Sequence, residues 1–123
     1  MLLMAVEQRE VYLLPFPLTS EVEDHLFIVL SVRQANEYEN TFIAVMITSS
    51  EEYLDDFSFE LSNEMFDIPL TKEDSHARMH LLQLCMNKEI IGKRITKMKP
   101  QYFKQLMRAI GDLIFHYNFT PIE

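Results

Sequence analysis

Apolar runs separated by short polar stretches set the plan of this chain. The run from Val11 to Leu18 is rich in β-formers and ends on Pro15 and Pro17. Proline cannot donate to a ladder, so the end of that strand belongs at an edge or a bulge. Thr19 to Asp24 is a polar turn. Leu26 to Val32 and Thr41 to Ile47 are apolar without alternation, which predicts strands covered on both faces. Polar residues from Gln34 to Asn40 connect them. Three such segments, recurring about every 15 residues with turn signals between, favour a small barrel or sandwich.

The second half changes its rhythm. Ser50 to Asp56 reads as an acidic loop or a single helical turn. Phe57, Phe59 and Leu61 alternate with polar residues, the period of a half-buried strand. Leu70 to Ser75 is a connection, and Arg78 to Cys85 a further strand. Simple alternation there sets Met79, Leu81 and Cys85 against Arg78, His80 and Leu82. A short helical turn is expected over Asn87 to Ile91, then Gly92 and a short Lys93-Arg94-Ile95 strand. Pro100 suits the first turn of a helix. From it Phe103, Leu106, Met107, Ile110, Leu113, Ile114 and Tyr117 recur at three- and four-residue steps, predicting a helix over Pro100 to Tyr117. Gly111 inside it costs up to about 1 kcal/mol against alanine, which suggests close packing at that point.

Length and charge narrow the function. The 123 residues suffice for one core, so a single domain over residues 1–123 is expected. No apolar run reaches the length of a membrane helix, and the apolar Met1 to Val6 lacks a basic leader and meets Glu7 at once. The lone Cys85, among Leu81, Leu82, Leu84 and Met86, reads as a buried, reduced thiol of a cytoplasmic protein. The net charge of −8 is divided unevenly. Residues 1–75 carry 16 acids against Arg9, Arg33 and Lys72, a net −13, and residues 76–123 carry eight bases against three acids, a net +5. RNA binding by such a chain has to be local, because phosphate contacts rest on Lys and Arg. The other reading is two solvated faces that attract each other.

Little chemistry is written in motifs. Two glycines leave no room for a phosphate-binding loop. His76 and His80 are four apart, but in a strand even spacing only puts them on one face, so no metal and no cofactor are expected.

The order of the segments is more telling than any one of them. Val11-Tyr12-Leu13-Leu14-Pro15-Phe16-Pro17, Leu26 to Ser31, Phe42 to Ser49, Ser75 to Leu82, Gly92 to Ile95 and the closing helix together resemble the MazF/PemK family of toxin–antitoxin ribonucleases. The likeness runs from about residue 8 to about residue 118. It implies a mainly β (α+β) fold, a small SH3-like or barrel-like antiparallel sheet with a packed C-terminal helix, and a homodimer. It also implies metal-independent cleavage of single-stranded RNA through the 2′-hydroxyl, which needs a base, an acid and a cation.

Site residues follow from the same resemblance. Thr48 matches the family's Thr or Ser at the end of the third strand; read alone, it is a strand-terminating Thr bonded to its own turn. Arg78 matches a later-strand Arg, fit to clamp phosphate or to pair with an acid. Where the family has Arg-Pro this chain has His25-Leu26, and where some members have an acid it has His80. The resemblance further implies RNA contacts from Thr19, Ser20, Ser49, Lys93 and Arg94. The family's Gly before the first strand is Arg9 here. His25 and His80 are then either a rebuilt acid–base pair or the mark of reduced activity. The competing class is a binding protein that keeps the fold without the chemistry. It would hold a small antitoxin on the basic stretch, or a gyrase-type target on the C-terminal helix.

Overall fold

A computed structural model of the chain describes residues 5–16, 23–50, 54–72 and 74–117. Six strands form one antiparallel sheet: β1 (Glu10–Phe16), β2 (Glu23–Val29), β3 (Thr41–Thr48), β4 (Ser58–Glu60), β5 (His76–Met86) and β6 (Ile91–Lys97). Their spatial order is β4-β5-β3-β2-β1-β6. A short helix α1 (Arg33–Asn36) joins β2 to β3, and α2 (Pro100–Leu113) follows β6. The architecture is the expected mainly β one with a packed C-terminal helix.

The continuous apolar runs become the centre of the sheet. In β3, Phe42, Ala44, Val45, Met46 and Ile47 are all buried, and so are Phe27, Ile28 and Val29 in β2. Each face of the sheet covers its own apolar cluster. On one, Val11, Ile28, Val45, Ile47, Ala77 and Met79 join Phe103, Leu106 and Ile110 of α2. On the other, Leu14, Phe27, Val29, Phe42, Ala44, Met46 and Cys85 pack together with Val6. Burial pushes the Cys85 thiol up to about 12, so it stays protonated at neutral pH.

The sheet curls until its two ends meet. The segment after β4 lies along the outer edge of β6: Asp67 N–H donates to Lys97 O (3.0 Å), Ile68 N–H to Thr96 Oγ1 (2.8 Å), and Lys99 N–H to Met65 O (2.7 Å). Pro15 pairs with Asp24 of β2, while the β1–β6 register stops at Leu13 and Ile91. Its missing N–H therefore falls where β1 has one neighbour, which is the edge position the proline demanded.

Several expectations need correction. β2 begins at Glu23, so Glu23 and Asp24 are strand residues paired with Phe16 and Pro15 instead of a turn. The rest of that turn, Thr19 and Ser20 included, lies outside the described residues. The alternation assigned to β5 fails: Met79 and Leu82 pack with one cluster, Leu81 and Cys85 with the other. The cause is a register break against β3 between Val45 and Ile47, across which Leu82 and Ala77 are the successive partners on β5. α2 ends at Leu113, and Met107, Leu113 and Tyr117 are exposed, so the packed stripe is Phe103, Leu106 and Ile110. A methyl group on Gly111 would meet nothing within 4 Å among the described residues, so their packing does not explain that glycine.

Two backbone features fix the ends of strands. Arg9 sits at φ 78°, a region favoured by glycine, and is held there by three bonds. Its N–H donates to Val29 O (2.9 Å), its carbonyl accepts from Met98 N–H (2.8 Å), and its guanidinium donates to Met98 O (2.9 Å). At the opposite edge, Arg78 ties the β4 loop to β5. Its Nη1 and Nη2 donate to the two Asp55 carboxylate oxygens (3.0 and 3.1 Å), and Nη1 also donates to Ser58 Oγ (3.1 Å). The Arg78 side chain is 6% exposed and that of Asp55 is 46% exposed. The hydrogen bonds from Arg78, followed by that from Phe57 N–H, hold the Asp55 carboxyl below its usual range.

Two outcomes are expected. Gly111→Ala should raise the thermal midpoint, gaining up to about 1 kcal/mol by restricting the unfolded chain in an open helical position; calorimetry checks it. Asp55→Asn should lower stability at neutral pH. Because the folded carboxyl is depressed, its contribution is present above the unfolded value of about 3.9 and lost as pH falls through the folded one. Urea melts of the two proteins should therefore converge in acid.

Candidate active site

The start of β2 and the end of β3 lie side by side, because Leu26 pairs with Ile47. That register carries His25 next to Thr48. His25 Nδ1 is 3.3 Å from Ile47 O, its Nε2 is 3.6 Å from a Glu23 carboxylate oxygen, and its ring stands edge-on to Phe16 at 6.1 Å. The bond to Ile47 O favours the tautomer with the proton on Nδ1, which leaves the lone pair on Nε2, the nitrogen on the Glu23 side. Thr48 is buried, and its Oγ1 accepts from Ser50 N–H (3.2 Å). That is the turn-closing bond of a strand-terminating threonine, and it leaves the hydroxyl proton to donate.

A cleft of about 460 Å³ opens over these residues. His25, Thr48 and Ser49 line it together with Glu23, Asp24, Lys72 and Ser75. Among the described residues, Lys72 supplies its permanent positive charge, while Glu23 and Asp24 make one wall acidic. Such a cleft can take a proton at His25, donate a hydrogen bond at Thr48 and attract an anion at Lys72.

The other predicted residues lie elsewhere. Arg78 does not line this cleft and is committed to Asp55 and Ser58. His80 is exposed, its ring tilted at 53° to that of Phe57 with centroids 5.6 Å apart, and its Nε2 is 3.5 Å from Arg78 Nη2. The cleft thus contains His25 without His80. Lys93 and Arg94 are on β6 and do not line the cleft. Arg94 pairs with the buried Glu10 (3.2 Å), whose other oxygen accepts from Tyr12 (3.1 Å). Burial, then the Glu10 charge, pushes the Tyr12 hydroxyl upwards.

The residue that sequence reasoning passed over is His76. It pairs directly with Thr48 on one side and with Glu60 on the other. Directly opposed residues share a sheet face, so Glu60, His76 and Thr48 form one row. His76 floors a second cleft of about 610 Å³, and the two clefts share Ser49, Leu70, Lys72 and Ser75. Only strand register carries this signal, and the chain offers no local motif for it. Among the described residues no three His, Cys, Asp or Glu gather as a metal site, and no helix is long and apolar enough to cross a membrane.

Comparison with solved structures shows the same fold at low identity. An endoribonuclease in complex with its cognate antitoxin from Mycobacterial species matches at 14% identity and a TM-score of 0.71, over 90% of this chain and 96% of that one. MazE-MazF (Form-III) from Deinococcus radiodurans matches at 12% and 0.70, over 92% and 99%. Mycobacterium tuberculosis toxin MazF-mt6 matches at 13% and 0.62, over 85% and 94%. No curated protein matches in sequence. A family profile described as PemK-like, MazF-like toxin of type II toxin-antitoxin system matches residues 7–114. With all of β1 to α2 inside that match, the chain belongs to the PemK-like, MazF-like toxins.

Proposed function

We propose that this chain is a metal-independent endoribonuclease that cleaves single-stranded RNA through attack of a 2′-hydroxyl on the adjacent phosphate. The observation that carries the reading is the cleft in which His25, Thr48 and Lys72 meet. His25 Nε2 takes the proton of the 2′-hydroxyl as its oxygen bonds to phosphorus. Thr48 donates a hydrogen bond to a phosphate oxygen, and Lys72 balances the charge that gathers there. The bond to the 5′-oxygen then breaks, and the protonated His25 returns the proton to it. The products are a 2′,3′-cyclic phosphate and a 5′-hydroxyl.

One imidazole serving both proton transfers, with Glu23 and Asp24 on the rim, supports slow turnover. An acid–base group is worth about 10²- to 10⁴-fold, so the lack of a second one is costly. The chain is further proposed to act as a single domain in the cytoplasm, as a homodimer, and to be held by a small antitoxin protein. One structural neighbour is described as an endoribonuclease in complex with its cognate antitoxin, and another as MazE-MazF. A second reading, a binding protein without turnover, is favoured by the Glu23 carboxylate 3.6 Å from His25 and by the commitment of Arg78 to Asp55.

The test is incubation with long single-stranded RNA in EDTA, with fragment ends mapped. Discrete fragments ending in cyclic phosphate are expected, with rates falling about 10²-fold or more in His25→Ala and Thr48→Ala. His25→Arg, which restores the family residue, separates the two roles of this position: faster cleavage marks a weakened site, slower cleavage a working histidine. Intact RNA at every pH from about 5 to about 9, the span in which histidine titrates, would leave the binding protein as the answer.

A further inference from the structure

His76 is 1% exposed, and neither ring nitrogen has a hydrogen-bond partner among the described residues. A buried polar group in that condition costs roughly 1–3 kcal/mol, and native proteins keep few of them. It survives here at the floor of a cleft that adjoins the candidate active site, in one row with Thr48 and Glu60. The cleft has apolar walls at Leu61 and Met65 and polar groups at Asn63 and Glu60, with Lys72 on the boundary shared with the first cleft. Apolar sides with a few convergent polar groups suit a flat, neutral ligand with hydrogen-bonding edges. Glu60 and Asp74 disfavour a phosphate at its centre, while Lys72 favours one at its margin.

We propose that this second cleft is a nucleobase subsite, in which Glu60, Asn63 and His76 read the base of the nucleotide whose phosphate lies at Thr48. Neighbouring strands are about 4.8 Å apart, so the row from Thr48 through His76 to Glu60 spans about 10 Å, on the scale of one nucleotide. Glu60 accepts hydrogen bonds, and a rotated His76 ring presents a lone pair to the cleft it floors. Bases with an exocyclic amino group (adenine, cytosine and guanine) are therefore preferred over uracil. The proposal rests on the ribonuclease reading for its substrate class, but it is tested without cleavage.

The experiment follows the side-chain resonances of His76 and Asn63 in the full chain during titration with AMP, CMP, GMP and UMP. The amino-bearing nucleotides should shift both residues, and UMP should bind more weakly. Asn63 is exposed, so Asn63→Ala should fold normally and bind about tenfold more weakly. His76→Leu should weaken binding similarly while raising the melting temperature of the free protein, since it removes an unpartnered buried imidazole. A merely structural histidine would give the reverse, a lower melting temperature with unchanged binding, and would overturn the proposal. So would the absence of any nucleotide-dependent shift at His76 and Asn63. RNA cleavage without those shifts would retire the subsite and keep the ribonuclease. Shifts without RNA cleavage would retire the ribonuclease and keep the subsite.

Discussion

The burial of β3 on both faces is the constraint on which the rest of this structure depends. Phe42, Ala44 and Met46 fill one cluster while Val45 and Ile47 fill the other, so the strand cannot slide by a residue without inverting both. Its neighbours are fixed in turn: β2 by the pairing of Leu26 with Ile47, β5 by that of His76 with Thr48. The strand ends where its apolar run ends, and at that end stand His25, Thr48 and His76. The candidate site is therefore set by the core's registration, although most of its lining is polar.

Charge shapes the site as strongly as position does. The acids crowded into the first part of the chain reappear as partners: Glu23 beside His25, Asp55 clamped by Arg78, Glu10 held by Arg94 and Tyr12. Cations that the sequence offers for RNA are thus partly consumed by the fold, and Lys72 stands in the cleft as its permanent cation among the described residues. Local geometry, and not the overall −8, decides what the cleft attracts.

What the sequence made legible followed from burial. The uninterrupted runs in β2 and β3 could be read because strands covered on both faces need no polar alternation. Pro100 marked the start of α2, while its end was misread because Leu113 and Tyr117 continue the apolar spacing without a core to face. The face assignment in β5 failed at a register break, which alternation cannot foresee. His25 and Thr48 were reached through the family resemblance. His76 was missed, since its place beside Thr48 exists only once two strands about 30 residues apart are paired, a distance over which no periodic pattern reaches.

Arg9 holds a left-handed turn that a glycine would adopt at no steric cost, and contacts to Val29 and Met98 on either side keep it there. The penalty for a residue with a Cβ in such a turn is about 1–2 kcal/mol, small enough for a well-registered sheet to absorb. Here, then, the contacts around the turn hold a shape that the residue type does not favour. A backbone path can thus be kept by letters that do not by themselves favour it, and the same fold recurs in solved structures at 11–14% identity.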